Sequence, residues 1–169
     1  IVQYIEQEKV ADVILIARRD YYFDPHAIDA AEASVGQQAM LQMIARLVAS
    51  GTQPWIMLEV PEHGFDIPQV MSRPVAAEMD MDALCAKPAE DNERAFWNRS
   101  FIAQLEAAGG HVIDPKPAFL DATGERYVFQ AEGIVLYRDQ HHLTAKGAKH
   151  MLLPLFRERL AGRGARDSK

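Results

Sequence analysis

Pro54-Trp55-Ile56-Met57-Leu58-Glu59-Val60 is a short apolar run closed by Pro61, and its reading decides the class of fold. A continuous run of this length suits a strand buried on both faces of a sheet, whereas a helix needs a longer periodic pattern. Upstream, Met40, Met43, Ile44, Leu47 and Val48 recur at helical spacing, and Gly51 sits where a left-handed glycine ends a helix. Further out, Asp12-Val13-Ile14-Leu15-Ile16-Ala17 repeats the buried-strand signal. Downstream, Trp97, Phe101, Leu105 and Ala108 mark a helix closed by Gly109-Gly110, and His111-Val112-Ile113-Asp114 is a third short strand. Strand, helix, strand, helix, strand is the rhythm of a doubly wound α/β sheet.

Between these elements lie a polar, tyrosine-containing loop from Arg18 to about Ser34 and an irregular stretch from Glu62 to Pro88. The latter carries Pro68, Pro74 and Pro88 with few periodic runs and reads as a long excursion over the sheet edge. Near the end, Tyr127-Val128-Phe129-Gln130 and Ile134-Val135-Leu136-Tyr137 flank Ala131-Glu132-Gly133 as a hairpin. Thr144 suits the N-cap of a last helix whose core face is Ala148, Met151, Leu152, Leu155 and Phe156. Pro154 is expected to kink that helix or shift its start. At the other end, Ile1-Val2-Gln3-Tyr4-Ile5 reads as the middle of an amphipathic helix without an N-cap, so the natural start is expected upstream.

With 49% hydrophobic residues, the 169-residue chain can bury one core, and residues 1–161 read as a single domain followed by a polar tail, 162–169. A net charge of −6 without a basic stripe argues against nucleic-acid binding. Cys85 is the lone cysteine, so it forms no internal disulfide and has no partner for a metal site. No apolar run reaches the roughly 20 residues that span a bilayer, and no signal peptide opens the chain. The chain is then either cytosolic or a soluble piece of something larger.

The chemistry concentrates in Tyr137-Arg138-Asp139-Gln140-His141-His142-Leu143-Thr144. A turn between Asp139 and His142 lets the carboxylate bond one ring nitrogen, fixing the tautomer and leaving the other nitrogen to take a proton from a serine. The same spacing also fits a plain turn in which Asp139 caps backbone amides and His142 is packed. His141 competes for the base role through a shorter Asp-x-His spacing. Elsewhere, Tyr21 and Tyr22 suit either a stacking sugar site or an anchored surface loop, and Asp24-Pro25-His26 is explained by a proline turn. Glu59 and Glu62 flank Pro61 as loop caps, and His111, His142 and His150 match no compact zinc-ligand spacing.

Leu136-Tyr137-Arg138-Asp139-Gln140-His141-His142-Leu143-Thr144-Ala145-Lys146-Gly147-Ala148 resembles the closing motif of SGNH (GDSL-type) hydrolases. More narrowly, it resembles the SGNH-like domain attached to membrane acyltransferase-3 family proteins, with its Tyr-x-Asp-x-x-His-Leu-Ser-x-x-Gly-Ala pattern. The segments at Asp12–Arg18, at Pro54–Glu62 followed by Pro68, and at His111–Pro115 agree in order and spacing, so the likeness covers nearly the whole chain.

The resemblance implies a three-layer α/β/α sandwich with a mainly parallel sheet, SGNH hydrolase-like and flavodoxin-like, here lacking its first strand. It implies a serine esterase or O-acyltransferase acting on acetyl esters of cell-surface polysaccharide, with His142 as base, Asp139 as its orienting carboxylate, and no metal or cofactor. Arg18, at the carboxyl end of a strand, is expected to help at the oxyanion or bind a sugar hydroxyl. An acyltransferase-3 membrane domain would be the partner, placing this domain in the periplasm or otherwise outside the cytoplasm.

Several positions depart from the pattern. No Gly-Asp-Ser occurs, and none of the five serines, Ser34, Ser50, Ser72, Ser100 and Ser168, follows a buried-strand run, so the nucleophile is expected upstream of Ile1. Arg19 stands where the family has tryptophan, and Asp121 and Tyr127 lie near the places of its cysteine pair. The alternative is a non-catalytic carbohydrate-binding or interaction module on the same scaffold, because a fold does not guarantee activity.

Overall fold

The computed structural model describes residues 1–16, 30–73 and 80–161. Arg18, Arg19, Tyr21, Tyr22, the Asp24-Pro25-His26 turn and the 162–169 tail therefore lie outside the described residues. The chain divides into two compact units, Ile1–Glu59 with Asn92–Asp114, and Val60–Asp91 with Pro115–Lys169.

The first unit is built on a parallel sheet of β1 (Asp12–Ile16), β2 (Gln53–Met57) and β3 (His111–Ile113), in that spatial order. Register runs from Asp12↔Gln53 to Ile16↔Met57 on one side of β2, and from Trp55↔His111 to Met57↔Ile113 on the other. The central strand β2 is buried from Pro54 to Met57, as its apolar run requires. It is shorter than the run itself: the Leu58 N–H donates to the Ile113 carbonyl (2.8 Å), and the chain then leaves the sheet. By contrast, β1 is half-buried and Ile16 is 61% exposed, which corrects its reading as a strand covered on both faces. Among the described residues β1 has a strand on one side only, and an apolar run does not report how many neighbours a strand has.

Helices α1 (Val2–Gln7), α2 (Ala30–Ala49) and α4 (Pro88–Ala107) precede the three strands. Ile44 of α2, Ile56 of β2, and Phe101 and Leu105 of α4 form one buried cluster, with Leu15, Met40, Leu41 and Ala108 packed around it. Each such buried side chain contributes roughly 2 kcal/mol by removal from water. All three helices end alike. Gly51 (φ 85°) takes the left-handed conformation, its N–H donating to Val48 and the Thr52 N–H to Leu47. Gly109 (φ 93°) does the same through Glu106 and Leu105, and Lys9 (φ 51°) through Glu6 and Ile5. This double closure satisfies carbonyls that a helix end leaves open and turns the chain into the following strand.

The second unit contains α3 (Ile67–Met71), the antiparallel pair β4 (Gln130–Ala131) and β5 (Ile134–Val135), and α5 (Ala145–Ala161). Short 3-10 turns lie at Met81–Leu84 and Lys116–Phe119. The helix α3 sits in the stretch read as irregular: Asp66 caps it, accepting the Gln69 N–H at 2.8 Å, and Pro68 occupies its first turn. Glu132 (φ 50°) and Gly133 (φ 76°) make the two-residue hairpin turn. The hairpin is shorter than the sequence suggests because its outer residues pair elsewhere, Tyr127 with Leu120 and Tyr137 with Leu143. Phe119, Phe129, Leu136, Tyr137, Ile67 and His63 are fully buried. Pro154 lies inside α5, which starts after Thr144 as its cap predicts and runs on to Ala161, so the proline does not shift the start.

Candidate active site

The Asp139–His142 segment is a narrow loop anchored at both ends. The Tyr137↔Leu143 bridge and an Arg138 N–H bond to the His142 carbonyl (2.9 Å) close it, leaving Asp139, Gln140 and His141 at the tip. On the far side, the Thr144 N–H donates to the Leu136 carbonyl (2.7 Å). Its hydroxyl donates to the Val135 carbonyl (3.0 Å) and accepts the Gly147 N–H (2.9 Å), capping α5. Thus β5 and α5 hold the loop from opposite ends. Gly147 is obligatory at this junction: a Cβ there would fall 2.7 Å from the Leu136 Cα and 2.8 Å from its carbonyl carbon.

Within the loop, the two carboxylate oxygens of Asp139 do different work. Oδ1 accepts the backbone N–H groups of His141 (2.8 Å) and His142 (2.7 Å), and Oδ2 lies 2.7 Å from the His142 Nδ1. The capping turn and the carboxylate–imidazole pair, alternatives from sequence alone, are realised together. Partial burial pushes the Asp139 pKa up. The backbone bonds from His141 and His142, the ring bond and the His142 charge outweigh it, holding the carboxyl well below the usual carboxylate range. An ionised Asp139 acts as acceptor, so neutral His142 carries its proton on Nδ1 and presents a lone pair on Nε2. Nε2 has no hydrogen-bond partner among the described residues, and the side chain is 51% exposed. An imidazole held in this way can accept a proton at Nε2.

His141 is less suited to that role. Its Nδ1 lies 3.8 Å from an Asp139 oxygen that already accepts two backbone bonds, and its side chain is only 21% exposed. Its ring stacks obliquely on His142 at 4.0 Å between centroids. Asp139, His141 and His142 do place ligand atoms within 4.8 Å of one another, enough to approach a metal ion. A cation bound through His142 would take either the Nε2 lone pair that a base needs or the Nδ1 position that pairs with Asp139, so the two uses exclude each other. Cys85 is buried and is not part of a disulfide.

The sequence reading missed His63. It is 1% exposed, and its backbone N–H donates to the Gln140 carbonyl (2.9 Å) at the tip of the loop. A lone histidine between Glu62 and Gly64 carries no periodic signal, so nothing local marks it.

The family model for the SGNH domain, described as fused to AT3 domains, matches residues 1–157. The chain belongs to this SGNH domain family. Among solved structures, the periplasmic domain of the lipopolysaccharide acetyltransferase of Salmonella ser. Paratyphi A is similar to the SGNH domain, with a TM-score of 0.59 at 14% identity. The match covers 94% of this chain and 60% of that one, and at this identity it establishes a shared α/β fold with a parallel sheet. A comparison with proteins of curated function returned no match. No helix of the SGNH domain, among the described residues, is long and apolar enough to cross a membrane.

Proposed function

We propose that this domain supplies the acid–base half of an SGNH-type serine esterase or O-acyltransferase acting on acetyl esters of cell-surface polysaccharide. His142 takes the proton of a serine contributed by sequence upstream of Ile1, and Asp139 holds the ring and stabilises the imidazolium. The serine attacks the ester carbonyl, the leaving alcohol takes the proton from His142, and water or an acceptor sugar hydroxyl releases the acyl group. The single observation that carries this reading is the 2.7 Å Asp139 Oδ2 to His142 Nδ1 contact on a ring whose Nε2 is open. Among the described serines, Ser50 and Ser72 donate to the Leu47 and Gln69 carbonyls, Ser100 lies against Gln104, and Ser34 is an exposed residue of α2.

Membership of a family described as fused to AT3 domains supports a membrane acyltransferase domain as partner. The acetyltransferase periplasmic domain that shares the fold supports placement outside the cytoplasm. Arg18 keeps its proposed role at the oxyanion or a sugar hydroxyl.

The test is p-nitrophenyl acetate hydrolysis by the protein extended upstream of Ile1, beside the same protein carrying His142→Ala. Turnover abolished by the substitution supports the reading. Equal turnover in both removes His142 from the chemistry, and no turnover in either favours a non-catalytic glycan-binding module.

A further inference from the structure

We infer that His63 is a positioning residue for the Asp139–His142 pair, acting through the Gln140 carbonyl and the Tyr137 ring. The inference rests on the acyl-transfer reading of that pair.

His63 touches the loop at two places. Its backbone N–H holds the Gln140 carbonyl at 2.9 Å, between Asp139 and His142 in sequence. Its ring stands edge-on to Tyr137, 4.9 Å between centroids at 84°, and Tyr137 is the residue whose bridge to Leu143 closes the loop. Any residue except proline could make the backbone bond, so the side chain must account for the choice of histidine. The imidazole Nδ1 accepts the Ala86 N–H at 3.4 Å, placing the ring proton on Nε2. This bond ties the Glu62–Gly64 segment to the chain at Ala86, whose carbonyl in turn accepts the Tyr127 N–H at 2.9 Å.

The same ring packs at 6.1 Å against Phe65 and Phe129. Nε2 is buried without a hydrogen-bond partner among the described residues. A phenyl ring would fill this cage with no polar atom to bury, so packing alone does not select histidine. Burial holds the imidazole neutral, with its pKa pushed down to about 4, so it does not add a second cation beneath the loop.

His63→Phe keeps the ring and removes the acceptor, and His63→Asn keeps an acceptor near the Nδ1 position. The first readout, on the 169-residue chain, is the downfield NMR signal of the His142 Nδ1 proton shared with Asp139. The second is turnover by the protein extended upstream. Expected are loss or broadening of that signal in His63→Phe with the backbone amide spectrum retained, a kcat about 10- to 100-fold lower at unchanged KM, and partial recovery of both in His63→Asn. An unchanged signal and kcat in His63→Phe overturns the inference. Loss of the folded amide spectrum in both variants also overturns it, because His63 would then be required for folding and not for positioning. Should His142→Ala prove as active as wild type, the acyl-transfer reading fails, while the ring-proton signal still shows whether His63 sets the pair's geometry.

Discussion

Asp139 grips His142 twice, through its backbone N–H with one carboxylate oxygen and through its ring Nδ1 with the other. A single ionised side chain therefore shapes the loop and orients the imidazole. The two functions are separable by chemistry, because an amide retains one acceptor oxygen and replaces the other with a donor.

Asp139→Asn should accordingly keep the loop and lose the orientation. Its remaining oxygen can still accept the His141 and His142 N–H groups, while its NH2 would face Nδ1, forcing the ring to its other tautomer. In the protein extended upstream, kcat is expected to fall about 10²- to 10⁴-fold with the folded spectrum intact. An acetyl-ester hydrolysis rate within twofold of wild type would remove Asp139 from the mechanism.

Thr144→Ala tests the far anchor of the same loop. The hydroxyl caps α5 through the Gly147 N–H and ties it to the Val135 carbonyl. Losing the cap costs about 1 kcal/mol, and the Val135 carbonyl loses a donor as well. Urea denaturation should show a lower midpoint for Thr144→Ala and a smaller change for Thr144→Ser, which keeps both bonds.

Gly147→Ala is expected to be worse, although alanine is the better helix former. The added methyl meets the Leu136 backbone, which cannot rotate away as a side chain would. Overpacking of this kind costs on the order of 1–3 kcal/mol. A thermal midpoint equal to or above wild type would show that β5 and α5 can separate without penalty.

Much of this arrangement can be read from the chain, and the remainder has identifiable causes. Buried β2 shows as a continuous apolar run, and Gly51 and Gly109 mark helix ends because their left-handed conformation is strained for other residues. Thr144 is legible as a cap because its bond partner, Gly147, is three residues away. What local pattern does not carry is pairing at a distance. The exposure of Ile16 depends on which strands flank β1, and the shortness of the hairpin depends on Tyr127 and Tyr137 finding Leu120 and Leu143 instead of Arg138 and Val128, which the register would place opposite them. The helix at Ile67–Met71 did have a local signal, Asp66 followed by Pro68, which the surrounding prolines obscured. Asp139 and His142 were legible as a pair because the whole geometry lies within four consecutive residues. His63 was not, since it reaches the loop from far along the chain.

That buried histidine should also leave a mark on stability. Free in the unfolded chain it protonates near pH 6.5, but in the fold it stays neutral down to about pH 4. Above pH 6.5 neither state binds the proton and His63 contributes no pH dependence. As pH falls from 6.5 towards 4, the unfolded state gains a proton that the folded state refuses, so stability declines, by up to roughly 3 kcal/mol across the window. The rings against it, Phe65, Phe129 and Tyr137, carry no charge in this range. Asp139 acts lower: its folded pKa is depressed, so its contribution is whole above its unfolded value of about 3.9 and is lost as pH falls below it. Urea denaturation of wild type and His63→Phe between pH 7 and 3 separates the two groups. The wild-type curve should fall more steeply between pH 6.5 and 4, and the two should run parallel below it. Parallel curves throughout would mean that His63 is protonated in the fold as readily as in water.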